Sequence, residues 1–290
     1  MGSEVGDNAE TDMFGVLADA LRECVDAFLD DQRRHTTFLA GSAAASESAT
    51  ETLRGRWGSY PDRDAYYLAL MLAIGAADHL MSITMLLAGE RKSIFGVPPL
   101  ARVAMEAAAR SSWLLDPNVT ATERVQRSMN ERLTSISHAK RLYKTTGADV
   151  SDLERQASDI LGEAANREWQ IVKSKGQWPV KYIRAVPPAS MRLIDETLGG
   201  TGLGILTYQA HSAAIHSQVH GLMEQFAQDG EVARPQITVK QVGAYVTPAI
   251  FVFQEMGRRL YRMCGWEPTA WQTATDLAVD LYSEAARLAD

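Results

Sequence analysis

Cysteine is scarce: Cys24 and Cys264 are the only two among 290 residues. They lie at opposite ends of the chain, both in apolar helical surroundings. Two thiols exclude a disulfide framework and a cysteine-rich zinc site, and they read as buried free cysteines. A run of one charge sign is also missing. The formal net charge is −7 and no block of Lys or Arg stands out, so general attraction to a nucleic-acid backbone is not favoured. The first residues, 1–12, are acidic and have no apolar signal core, which makes the cytoplasm the expected location. Long hydrophobic runs are limited to Tyr66–Ala88. That run is long enough to tempt a membrane-span reading. It carries Gly75, Asp78, His79 and Ser82 near its middle and no second span follows, so a core helix and no membrane partner are expected.

What is present is a helical pattern of ordinary globular composition, 46% apolar and 22% charged. Phe14, Leu17, Leu21, Val25 and Phe28 recur at helical spacing and predict a helix over 13–39. A buried helix follows over 63–89. Pro98 and Pro99 fit the first turn of the next helix, which runs to Asp116 and Pro117. Thr120 with Glu123, Ser151 with Glu154, Thr238 with Gln241 and Thr269 with Gln272 are capping pairs that start helices over 120–145, 151–174, 238–263 and 269–288. The 238–263 helix contains Pro248, and a short helix over 190–198 and one over 203–228 complete the set. Gln236–Val239 is the one weak strand signal. The expectation is an all-α single domain over 13–290, a bundle of about nine helices with no sheet, behind a flexible acidic tail over 1–12. The Pro- and Trp-containing stretch 176–189 is the one candidate subdivision.

Three groups of residues could carry chemistry. Half of the six histidines, His211, His216 and His220, fall within ten residues. On a helical wheel Tyr208, Ser212 and His216 share an apolar arc, so His216 is expected to be the buried histidine and His211 a bystander. Such a ladder is either a satisfied structural network or a site. His216 and His220, spaced i and i+4, are the metal ligands if a metal binds, with Glu224 drifting off their face; no metal motif surrounds them. The second group is Arg102, Glu106 and Arg110 at i, i+4 and i+8, either a solvated stripe or charges facing an internal pocket. The third is Asp78 with His79; at the centre of an apolar run Asp78 would need a partner such as Arg102, Arg110 or a histidine. Convergence of Asp78, Arg102, Glu106, Tyr208, Ser212 and His216 in one polar cavity would make a small-ligand site. Glu106 or His216 would then act as acid or base, and Arg102, Asp78, Tyr208 and Ser212 would bind the ligand. The glycines over 199–204 lack the preceding strand and following Lys of a phosphate loop, so no cofactor is expected. Arg124, Arg127 and Arg132 give one helix a basic side.

Two stretches together resemble a broad group of uncharacterised helical bacterial proteins common in high-GC actinobacteria. One is Arg102-x-x-x-Glu106 with Trp113-Leu114-Leu115-Asp116-Pro117 and then Glu123-Arg124. The other is Tyr208-x-x-x-Ser212-x-x-x-His216. The resemblance spans about residues 66–225 and implies an all-α cytosolic protein without a defined reaction. A fainter likeness, carried by Arg132 and His138, is to HEPN-type helical ribonucleases. It implies metal-independent RNA cleavage in a toxin or phage-defence setting, although these residues point about 240° apart on a helix and Leu133 replaces the family's polar residue. A third expectation is a scaffold or homodimer built on the amphipathic first and last helices.

Overall fold

The computed structural model describes residues 3–49, 53–90, 92–93, 95–175, 178–216, 226–229 and 232–288. The fold is all-α, with ten helices among the described residues. α1 (Ser3–Arg34), α2 (Ala43–Ser48), α3 (Pro61–Ala88), α4 (Val97–Leu114), α5 (Ala121–Thr146) and α6 (Ser151–Asn166) come first. An antiparallel hairpin of β1 (Ile171–Lys173) and β2 (Lys181–Ile183) follows, then α7 (Ser190–Thr197) and α8 (Leu203–Ile215). A second hairpin of β3 (Phe226–Asp229) and β4 (Val232–Pro235) precedes α9 (Val239–Cys264) and α10 (Thr269–Ala285).

Five helices close a ring: α1 packs on α3, α3 on α4, α4 on α9, α9 on α10, and α10 back on α1. The apolar stripe of α1 supplies Leu17, Leu21, Val25 and Phe28, all fully buried. α3 and α4 instead bury mainly alanines, among them Ala69, Ala73, Ala104 and Ala108. Short side chains on both partners allow close axial approach. An aromatic cluster fills the far side of the ring. Phe28 meets Phe253 edge-on at 5.0 Å, and Tyr261 stacks on Trp271 at 5.1 Å. Gly257 lets α9 lie against the Trp271 ring; a Cβ there would stand 2.2 Å from a ring carbon. Cys24 and Cys264 are both buried. Burial pushes each thiol up to about 12, so neither is a ready nucleophile.

α3 is long and apolar enough to cross a membrane by length and composition. One face packs on α1, α4 and α5, while Tyr67, Met71, Ile74 and Met85 are exposed on the other. Lys92 closes its C-terminus, donating to the carbonyls of Leu87 at 2.5 Å and Gly89 at 2.8 Å. A second, smaller core lies between α5, α6 and β2, with Trp57, Val125, Met129, Ile160 and Ile183 buried in it. Asn130 fixes β2 there as a strand partner would. Its amide donates to the Ile183 carbonyl at 2.9 Å and its oxygen accepts from the Ile183 N–H at 2.8 Å.

Several boundaries differ from expectation. α1 begins at Ser3, inside the stretch read as a tail, and stops at Arg34. The 151–174 helix ends at Asn166, and 171–173 instead pairs with 181–183, so the stretch 176–189 contributes β2 to the second core. The helix expected over 203–228 ends at Ile215, and Phe226–Asp229 pairs with Val232–Pro235. Thus two short hairpins replace the expected absence of sheet, and Gln236 to Thr238 is irregular. Local pattern could not reveal these strands because their hydrogen bonds are made to another segment. The last helix is preceded by Pro268 at the cap position rather than by a Thr269 cap. The capping of α5 by Thr120 and the box of Thr238 with Gln241 on α9 are both present.

Replacing Gly257 by Ala forces its methyl into the Trp271 ring. A loss of about 1–3 kcal/mol is expected, visible as a lower urea midpoint at unchanged slope.

Candidate functional site

Arg102, on α4, gathers side chains from two helices. Its Nε donates to Glu106 Oε1 at 2.8 Å, one turn along the same helix. Its Nη1 donates to Ser212 Oγ at 3.2 Å, and its Nη2 donates to the Tyr208 hydroxyl. The guanidinium also sits 4.2 Å from the centre of the Tyr208 ring, adding a cation–π contact. Arg102 is 16% and Glu106 26% exposed, so the pair is shielded but reachable. Tyr208 and Ser212 are half-buried on α8, four residues apart and hence on one face. Four of the six residues expected to converge therefore do: Arg102, Glu106, Tyr208 and Ser212.

Asp78 is not among them. It is exposed on α3, where water solvates the carboxylate and no buried partner is required. Arg110 also turns elsewhere, donating to Glu131 at 3.3 Å and to Ser190 at 3.2 Å. Burial raises the Glu131 carboxyl above its usual range, against the opposing Arg110 charge.

The histidine assignment is reversed. His216 is the exposed C-cap of α8, whereas His211 is buried. The wheel misled because α8 is apolar almost all round, so its apolar face has no defined direction. Leu203 and Leu206 are in fact exposed. Packing decides the rotation instead. Gly204 lies against the α7 backbone, where a Cβ would be 2.4 Å from the Asp195 Cα. That contact turns His211 toward α9. Both of its ring nitrogens face carbonyl oxygens, Thr207 at 2.7 Å and Tyr245 at 2.9 Å. Pro248, which has no N–H, interrupts the α9 ladder one turn beyond Tyr245. Burial lowers the His211 pKa, opposed by the two carbonyls and aided by the Arg102 charge. Since the neutral ring has one N–H, one of the two carbonyls takes its hydrogen bond. His220 and Glu224 lie outside the described residues. His216 caps α8, and no group of three metal-ligating side chains occurs among the described residues.

Arg132 and His138 are not brought together. Arg132 donates to the Trp57 carbonyl at 2.9 Å, tying down the loop before α3, and His138 is exposed. The inner faces of the first and last helices are occupied within this chain. Tyr282 of α10 donates to the Leu17 carbonyl of α1 at 3.0 Å, and Phe28 and Trp271 lie 6.3 Å apart.

A second polar cluster escaped the pattern-based reading. Arg124, taken as part of a basic surface, is 1% exposed. Its Nε donates to Glu47 of α2 at 3.0 Å, and its Nη atoms donate to the carbonyls of Leu114 and Asp116. Tyr66 of α3 donates to the same Glu47 at 2.8 Å. Arg127 donates to the Trp113 carbonyl at 2.5 Å and lies 5.0 Å from the Trp113 ring centre. These arginines satisfy the otherwise orphaned carbonyls at the end of α4. The Trp113–Pro117 and Glu123–Arg124 stretches thus form a helix-ending device. Near the cluster Asp62 is 2% exposed, and among the described residues its carboxylate accepts no hydrogen bond beyond that of its own backbone N–H. Burial, opposed by that N–H and the Arg167 charge and supported by the Glu47 charge, raises it to about 6. Glu47 lies in an Ala- and Ser-rich stretch 77 positions from Arg124, so no local spacing could signal the pair.

No family model, curated protein or solved structure matches this chain.

Two predictions follow from these placements. Folded Asp62 binds its proton more tightly than the unfolded chain, so its contribution to stability is complete below about pH 3.8 and is lost as pH rises through about 6. Asp62→Asn should therefore match the parent near pH 4 and melt higher above pH 7. His211→Ala should cost about 1–3 kcal/mol by emptying a hydrogen-bonded buried site, whereas His216→Ala should stay within about 0.5 kcal/mol; urea titration separates the two.

Proposed function

We propose that this chain is a cytoplasmic helical protein that binds a small polar ligand at the Arg102, Glu106, Tyr208 and Ser212 cluster. On this reading it belongs with the helical bacterial proteins that share its Arg/Glu and Tyr/Ser/His helices. The observation that carries the proposal is how one guanidinium engages three side chains through three different nitrogens. Arg102 donates to the oxygens of Tyr208 and Ser212, so each hydroxyl must aim its own proton elsewhere. A cation at hydrogen-bond distance polarises both O–H groups and makes them stronger donors. Glu106 spends Oε1 on Arg102 and retains Oε2 as an acceptor. Two donors and one acceptor on neighbouring turns suit a ligand that presents an oxygen acceptor and an N–H or O–H donor together. Amino acids and hydroxy acids have this pattern. Glu106 is the residue placed to exchange a proton with such a ligand; the exposed His216 is not hydrogen-bonded into the cluster. Unpaired buried thiols fit a reducing compartment.

The test is a thermal-shift and calorimetric titration with malate, glutamate, asparagine and inorganic phosphate. At about 100 times its Kd a bound probe adds about 2.7 kcal/mol, which is a rise of several degrees in Tm. Tyr208→Phe/Ser212→Ala should abolish that rise while leaving the unliganded protein within about 1–2 kcal/mol of the parent. A cluster that only clamps α4 to α8 gives the opposite result: no probe shifts the parent, and the double variant loses several kcal/mol.

A further inference from the structure

A second site lies about the smaller core, between α5, α6 and the turn entering β2. The cleft there has a volume of about 300 Å³. Its walls are aliphatic, drawn from Leu133, Ile136, Leu161, Pro179 and Val180, and among the described residues Ser137 is the one neutral polar side chain lining it. Its rim is cationic: Lys140, Arg141 and Lys144 follow one another along α5, and Lys181 faces them from β2. No Asp or Glu lines it among the described residues. Glu154 pairs with Lys140 at 2.9 Å from outside the cleft and its charge also acts on Lys144, while Arg141 and Lys181 make no ion pair among the described residues. Trp178 stands in the lining and is 61% exposed, although burying an indole is among the larger apolar gains open to a side chain.

This combination is unusual on a chain of net charge −7. Glu154 offsets part of this charge, but the like charges that remain around one opening repel each other, and an anion placed among them relieves that repulsion. A volume near the lower end of the range for small-molecule sites, roughly 300–1,000 Å³, favours one compact molecule. The walls decide its body. A nucleobase would bury ring nitrogens and exocyclic groups against side chains that cannot hydrogen-bond them, a cost of roughly 1–3 kcal/mol for each unmet group. An alkyl chain has no such groups. We infer that this cleft binds an aliphatic carboxylate of medium chain length, with the chain against Leu133, Ile136, Leu161 and Val180, the carboxylate among Lys140, Arg141, Lys144 and Lys181, and Trp178 folding over the chain. The site is separate from the Arg102 cluster and does not depend on it.

The experiment titrates the full chain with octanoate, octan-1-ol and adenosine monophosphate, following tryptophan fluorescence and heat. Octanoate should bind saturably, octan-1-ol about tenfold more weakly or not at all, and the nucleotide not at all. Lys140→Gln/Lys144→Gln should weaken octanoate about tenfold, as should high salt, without moving Tm. Trp178→Phe should remove the fluorescence change while heat is still released, and Arg102→Ala should leave octanoate affinity unchanged. Equal affinity for octanoate and octan-1-ol overturns the assignment, as does indifference to the lysine substitutions. Tighter binding of the nucleotide than of octanoate would replace the aliphatic carboxylate by a nucleotide. Loss of octanoate binding in Arg102→Ala alone would move the ligand to the other cluster.

Discussion

The buried guanidinium of Arg124 is the contact on which the joining of the two cores depends. It sits at the start of α5, yet its partners are Glu47 on α2, the Tyr66 ring on α3 at 5.1 Å, and the carbonyls that end α4. A buried charge is tolerated when a counter-ion and hydrogen bonds surround it, and removing one partner strands the other. Here a single residue holds a carboxylate, faces an aromatic ring and caps a helix. The chain can therefore leave the five-helix ring at Leu114 and enter the second core through α5 without orphaning the last carbonyls of α4. Arg127 completes the same task one turn further on.

α4 carries a comparable device at its other end. Arg102, 16% exposed, faces α8 and takes Glu106, Tyr208 and Ser212 as partners, whereas Arg124 is sealed at 1%. The difference between the two arginines lies in access. In the Arg102 cluster, hydroxyl protons and one carboxylate oxygen remain free to meet something from outside. In the Arg124 cluster the donors end on backbone carbonyls and on a carboxylate already shared with Tyr66. On the proposed reading one arrangement works as a site, and the other serves as structure.

Much of the helical architecture was legible from residue pattern. The α1 stripe, the prolines opening α4, and the caps at Thr120 and Thr238 are local signals with local causes, and the helices stand where they predict. The pairing of Arg102 with Glu106 was legible for the same reason, because four residues make one helical turn. The alignment of Tyr208 with Ser212 was equally local. That both would meet Arg102 could be entertained from sequence only as a hypothesis, since 106 and 110 positions separate them. Arg124 gave no signal. Its partner Glu47 is distant, and an arginine beside a glutamate on a polar helix usually marks a solvated face.

By itself the sequence determined which segments coil and where most of them start, because capping, proline geometry and apolar periodicity act over a few residues. Tertiary packing decided everything that depends on the orientation of a helix about its own axis. α8 shows this most clearly: being apolar on nearly every side, it had no preferred inward face until Gly204 met α7 and His211 met the Tyr245 carbonyl beside Pro248. Packing likewise turned two expected helix ends into paired strands and left Asp78 in solvent. Three clustered histidines in a sequence suggest one site, but the rotation of a single helix buries His211 and exposes His216.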